Sequence, residues 1–231
     1  MRSTYEGNGY FSDSATAGYR DYVSQEKSLR ITFRRFLTEL KRIGLTSGRL
    51  LEVGCGYGYF LDEARDFFPS VSGTELSPDA AYHARKSSVA NVHTGDIDSI
   101  PPEWNNFDII VAINVVEHIY APVEFLIAAK QKLKDGGKVV VATPDFGSFW
   151  VKILGSRWPS FKIPEHVTFY TKKTLGLLLE KAGFSNIREV PFHHFFPLGL
   201  IAGKFGLSIR GDAGLLPVWL PKTMIALSAQ K

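Results

Sequence analysis

An open, parallel α/β sheet wound on both faces is the fold class this sequence predicts, and three observations carry it. Short runs of strand length alternate with helical segments over roughly a hundred residues. Several runs, "FDIIVAINVV" above all, are apolar at nearly every position, as strands covered on both faces must be. The first run leads into a glycine-rich turn, "LEVGCGYGYF", and then into a helix, so a ligand-bearing turn lies at the carboxyl edge of the sheet.

The elements follow in order. From about Gly18 to Ile43 apolar residues recur at helical spacing (Tyr22, Leu29, Phe33, Phe36, Leu37, Leu40), and "LTSG" ends that helix. "RLLEVG" reads as a buried strand, and Tyr59 to Phe68 as a helix stopped by Pro69. "VSGTEL" is a second strand, followed by a helix with Ser77 as its N-cap and Pro78 in its first position. "NVHTGD" and "FDIIVAINVV" are the third and fourth strands. "APVEFLIAAKQKLKDGG" is a helix closed by glycine, and "KVVVATP" a fifth buried strand. Asp145 to Tyr170 is aromatic and irregular. "TKKTLGLLLEKAGF" is amphipathic, with Leu175, Leu178, Leu179 and Ala182 on one face. "SNIREV" and "KTMIALSAQ" are the last strands, and Pro191 to Pro221, apolar and rich in glycine and proline, is an insertion between them.

Composition narrows the function. The 231 residues are 45% hydrophobic and 13% aromatic, enough for one sizeable core. A net charge of +4 with scattered Lys and Arg gives no nucleic-acid footprint. The single cysteine, Cys55, rules out an intrachain disulfide and fits a reducing compartment. The opening stretch lacks the apolar core of a signal peptide, and Phe195 to Ile209 is too short for a transmembrane segment, so a cytoplasmic location is expected.

Gly54, Gly56 and Gly58 after a strand make a turn in which side chains would obstruct a close ligand, while the next helix points its N–H groups back at that ligand. Their spacing is G-x-G-x-G, not the G-x-G-x-x-G of dinucleotide sites, which disfavours a nicotinamide-dependent oxidoreductase. Glu75, at the end of the second strand, is placed to accept hydrogen bonds from ribose hydroxyls.

These residues resemble the class I S-adenosylmethionine-dependent methyltransferases, over roughly Arg49 to Phe184. "LEVGCGYGYF" is similar to that family's first motif and "GTELS" to its second, with Glu75 as the ribose-binding acid and Leu76 beside it. "GDIDSIP" resembles the segment that holds adenine, through Asp96 and Ile97. "FDIIVAINVVEHI" resembles the fourth-strand motif, in which the Asn114 region lines the methionine part of the cofactor, and "LKDGGKVVVATP" the fifth. The string "PEHVTFYTKKTLGLLLEKAGF" is most similar to small-molecule enzymes of the ubiquinone-biosynthesis type and to relatives associated with cell-surface saccharides. The resemblance implies a Rossmann-like, seven-stranded sheet with its last strand antiparallel, and S-adenosylmethionine as cofactor. A single methyltransferase domain over 1–231 is expected, with an N-terminal helical cap (1–46), a cofactor-binding core (47–144), and a lid, last strands and insertion (145–231). Glu52 then sits near the cofactor's ammonium or orients the loop's amides. Cys55 is a small residue of the cofactor loop, with no base beside it to make it a nucleophile.

An unactivated hydroxyl acceptor needs a base. His166, in the aromatic lid, is the leading candidate, with His118 and Glu117 after the fourth strand as the fallback; a structural histidine is the alternative for each. Lid aromatics, Trp158 and Tyr170 among them, either line an acceptor pocket or pack a small subdomain. His193 and His194 have no third ligand at recognisable spacing, so no metal is expected. Tyr10, Tyr19 and Tyr22 would form a second flap over the cofactor. The reading is O-methylation of a small hydroxylated acceptor, such as a saccharide, quinone precursor or lipid-linked metabolite. A non-catalytic cofactor-binding regulator of the same fold is the rival. The apolar stretch near Phe195 to Leu207 suits a lipid-linked acceptor and membrane-surface contact, or equally a homodimer interface.

Overall fold

The first helical pattern folds as α1 (Glu26–Arg42), burying Leu29, Phe33, Phe36, Leu37 and Leu40, the residues its spacing singles out. This computed structural model describes residues 22–87, 90–158, 160–204, 206–209 and 211–231; Tyr10 and Tyr19 of the expected flap lie outside them. The chain continues through β1 (Arg49–Val53), α2 (Tyr59–Ala64), β2 (Ser70–Glu75), α3 (Pro78–Ser87), β3 (Asn91–Thr94), β4 (Phe107–Ile113), α4 (Pro122–Lys132) and β5 (Leu133–Pro144). Then come α5 (Phe149–Leu154), α6 (Lys172–Lys181) and β6 (Ser185–Glu189). The insertion folds as β7 (Phe195–Pro197), α7 (Leu198–Lys204) and β8 (Pro217–Trp219), and β9 (Met224–Gln230) follows it.

Seven strands form one sheet in the order β3-β2-β1-β4-β5-β9-β6. β1 pairs in parallel with β2 on one side and β4 on the other, so the strand order reverses at β1. β9 runs antiparallel to both β5 and β6, as the resemblance implies. Side chains alternate across the pleat. Leu50, Ile109 and Val140 pack with Phe36, Leu40 and Phe60 on one face. Leu51, Ile110 and Val141 pack with Leu126, Leu175 and Leu179 on the other. Two covered faces are why the central strands need apolar residues at every position.

Several boundaries depart from the sequence reading: α1 begins at Glu26, with 22–25 as a turn before it, and β4 ends at Ile113, short of Val116. α2 ends at Ala64 and reaches Phe68 only as a turn. α4 stops at Lys132, before the double glycine, because Leu133 already pairs with Phe107 of β4. The pairing is irregular there, and Gly137 lies where a Cβ would come within 2.9 Å of the Lys134 carbonyl and 3.0 Å of the Phe107 carbonyl. Glycine thus serves a strand irregularity, not a helix end. The insertion forms a two-stranded sheet of its own, β7 with β8, held to α1 where the Phe195 N–H donates to Thr32 Oγ1 (2.9 Å).

Candidate functional site

The turn between β1 and α2 is built from left-handed backbone: φ is +73° at Gly54, +53° at Gly56 and +82° at Gly58. The N–H groups of Gly54 and Cys55 both donate to the Thr74 carbonyl, at 2.8 and 2.9 Å. A Cβ on Gly54 would stand 2.7 Å from Val115 Cγ2, so that position admits no side chain. Gly58 has another task. A Cβ there would press on Ala84 at 3.1 Å, so it lets α2 pack on α3, and it is not on the wall of the cavity below the turn.

That cavity, about 520 Å³, opens beyond the carboxyl ends of β1, β2 and β4. Nine of the ten residues assigned to the cofactor line it: Glu52, Gly54, Cys55, Gly56, Glu75, Leu76, Asp96, Ile97 and Asn114. Glu75 is buried with both oxygens engaged: Oε2 accepts the Gly56 N–H (2.8 Å) and Oε1 the Ser77 N–H (2.9 Å). Burial raises its pKa and outweighs these backbone donors, which pull the other way. Asp96 closes its own turn, accepting the Ser99 N–H at 3.0 Å. Asn114 bends the chain at the end of β4 with φ of +54°, and its N–H donates to the Ala142 carbonyl.

Glu52 is the outlier. Burial, and then the nearby Glu75, push its carboxyl well above the usual range, and its Oε2 has no hydrogen-bond partner. A buried, unpaired carboxyl on a cavity wall is costly unless a ligand meets it. Cys55 is also buried, and burial drives its thiol pKa upward, consistent with a small residue of the turn and not a nucleophile.

The sequence reading missed a second wall. α1 lends Leu29 and Phe33, and the segment after β4 lends Ile119, Tyr120, Glu124 and Phe125. The periodicity that identified α1 signals a buried face but cannot say that part of it borders a cavity. Tyr22 of the expected flap lines the cavity as well and stacks on Tyr59 at 5.3 Å.

Glu117, His118 and His166 come together from a 3₁₀ turn after β4 and from the lid. Only His118 reaches the cavity wall; its Nδ1 lies 2.9 Å from the Glu165 carbonyl. His166, the leading candidate base, stands behind it with ring centroids 4.7 Å apart, off the cavity wall. Burial lowers His118 to about 4 and His166 to about 3, and Lys162 adds to both. Glu117 is buried, raised to about 7 by that burial, and accepts from Thr143 Oγ1 at 2.9 Å. Its carbonyl takes the N–H groups of Val167 and Thr168, fastening the end of the lid. Although no metal is expected from sequence, these three side chains offer ligand atoms within 4.8 Å of one another and could share a divalent cation. Trp158 and Tyr170, assigned to the acceptor, are buried and do not line the cavity; Tyr170 packs in the core with Leu175 and Leu179.

Comparison with known proteins shows the family. Residues 26–189 match the methyltransferase domain family. The chain belongs to that family. Ubiquinone biosynthesis O-methyltransferase of Cereibacter sphaeroides is 28% identical over 179 residues, covering 72% of this chain and 70% of that protein. The Roseobacter denitrificans enzyme of the same name is 30% identical over 156 residues, covering 62% of each. Among solved structures, a SAM-dependent methyltransferase of Thermotoga maritima superposes with a TM-score of 0.65 at 19% identity, covering 92% of this chain and 94% of that one. Magnesium protoporphyrin IX methyltransferase of Synechocystis, solved with bound SAH, gives 0.61 at 12%, covering 93% and 89%. This methyltransferase uses S-adenosylmethionine, and its residues fit that cofactor: Gly54 and Gly56 line the cavity at the turn, Glu75 can take ribose hydroxyls, and the unpartnered Glu52 oxygen suits an ammonium. Among the described residues no helix is long and apolar enough to cross a membrane.

Proposed function

We propose that this methyltransferase acts on a hydroxyl oxygen of a small acceptor, with His118 taking the proton. The observation that supports this reading is the position of His118, the one histidine of the cluster on the cavity wall. A carbonyl can only accept, so the contact with Glu165 calls for a proton on Nδ1 and leaves Nε2 as the basic nitrogen. S-adenosylmethionine supplies the activated methyl group. The chain's own part is to hold the acceptor in line beside it, which is worth several kcal/mol, and to receive the proton. The names of the ubiquinone-pathway relatives point to oxygen as the methylated atom. His166 and Glu117 act as positioning residues behind His118.

The test is methyl incorporation, followed by mass spectrometry, into hydroxylated aromatic and saccharide acceptors and into their amine counterparts. Hydroxyl acceptors should be preferred. His118→Ala should lower kcat by about 10²–10⁴-fold with S-adenosylhomocysteine affinity unchanged. Amine preference, or a His118→Ala enzyme within about threefold of the parent, would overturn the reading. The closeness of Glu117, His118 and His166 favours one second reading, in which a divalent cation shared by them lowers the hydroxyl pKa. Activity lost to a chelator and restored by Mg²⁺ or Zn²⁺ would support it.

A further inference from the structure

Fifteen large hydrophobic side chains are exposed among the described residues, and nine of them lie in two stretches, 145–163 and 195–222. By sequence the same stretches hold six basic and two acidic residues, so the chain's entire formal excess of +4 resides in them. In the first stretch α5 buries none of its residues. Its Phe149 and Ile153, one turn apart on one side of the helix, are 62% and 58% exposed. The Trp150 indole N–H donates to the Pro221 carbonyl at 2.7 Å, joining α5 to the second stretch. There Leu207, Leu216 and Trp219 are 63%, 51% and 48% exposed. Lys152 and Lys222 are exposed beside them.

We infer that these two stretches, joined at Trp150, dock together on an anionic lipid surface. Exposed apolar side chains among lysines are what an interfacial contact requires: the apolar groups enter the headgroup boundary while the cations meet lipid phosphates. Charge decides between a bilayer and a second copy of this chain. Two such faces would bring like charges together, whereas an anionic leaflet attracts each Lys or Arg near it by about 1 kcal/mol. The face also adjoins the site. Thr32, which holds Phe195 of the insertion, lies on α1 between Leu29 and Phe33 of the cavity wall. A docked molecule would therefore present its cavity close to the lipid boundary. This inference is independent of which atom is methylated.

Flotation of the full chain with vesicles of phosphatidylcholine, with and without phosphatidylglycerol, tests it. Binding to the anionic vesicles should exceed binding to the neutral ones by at least about tenfold and should weaken in high salt. Phe149→Glu with Ile153→Glu, and separately Leu207→Glu with Trp219→Glu, should each reduce it by about tenfold or more. Tyr82→Glu and Leu177→Glu, at exposed apolar positions elsewhere, should leave it unchanged. Every variant must keep the parent's melting temperature and S-adenosylhomocysteine affinity; if one pair does not fold, Lys152→Glu with Lys222→Glu gives the same readout through charge. No preference for anionic vesicles, or variants that bind like the parent, would overturn the inference. So would a dimer in analytical ultracentrifugation that the same substitutions dissolve, since the face would then be covered by a second copy.

Discussion

The Glu75 carboxylate grips the glycine turn through the Gly56 N–H at 2.8 Å, so the residue expected to hold ribose also holds the loop on the cavity wall. Glu75→Ala should therefore weaken S-adenosylhomocysteine by about 1.5–3 kcal/mol, roughly 10–150-fold, and lower the melting temperature as well. Glu75→Gln keeps one acceptor oxygen and should fall between the two. Calorimetry and thermal melts read both effects; an alanine variant that binds like the parent would contradict the assignment.

Glu52→Gln should separate stability from binding. The folded pKa of Glu52 lies above its unfolded value, so its stabilising contribution is complete below about pH 4.5 and is lost as pH rises toward the folded value. The glutamine variant should be more stable than the parent at pH 8, by a margin that shrinks in acid. Its cofactor affinity should fall. In the parent, the cofactor's ammonium should favour the carboxylate, so binding near neutral pH should release a proton, visible as a dependence of the calorimetric enthalpy on the buffer.

Gly54→Ala joins two penalties. The left-handed φ of +73° costs an alanine about 1–2 kcal/mol, and its Cβ meets Val115. A melting temperature lower by roughly 3–8 °C is expected. Val115→Ala in the same chain should recover part of it, the part due to the clash.

His194 gives an acid-sensitivity test away from the site. Its ring lies 3.9 Å from that of Phe196, Nδ1 is buried without a partner, and burial lowers its pKa to about 3. Stability tied to its neutral form is complete above about pH 6.5 and is lost as pH falls through that value toward 3. Relative to His194→Phe, the parent should lose about 1.4 kcal/mol per pH unit below about pH 6, measured by urea unfolding. Parallel pH profiles would show that the ring is not held neutral.

The cavity wall beside the glycine turn was legible because its determinants are local. Gly54 and Gly56 need their backbone shape whatever surrounds them, and Glu75 follows its strand at a fixed interval, so motif order placed nine residues on one cavity. Gly58 stands off the cavity wall, and in sequence a glycine that permits helix packing looks identical to one that faces a ligand. The acceptor side depends on residues distant in the chain. His118 and the Glu165 carbonyl that orients it are 47 residues apart. Trp158 and Tyr170 have the composition of a pocket but the burial of a core, and only the path of the lid decides between these. The helical spacing of Leu29 and Phe33 predicts a buried helix face, which they form, yet they also line the cavity.

The order in which the strands are synthesised differs from the order in which they pair. β9 is made after the other six strands of the sheet, yet it fills the slot between β5 and β6. As the chain leaves the ribosome, β5 presents an open edge of unpaired N–H and C=O groups, and β6 has no neighbour to join. Both wait while the insertion, Pro191 to Pro221, is threaded out. An unpaired edge beside a run as apolar as Val139–Ala142 is a template for pairing with the wrong chain. The interval before residues 224–230 emerge is thus when a nascent molecule is most exposed to aggregation and most in need of a chaperone.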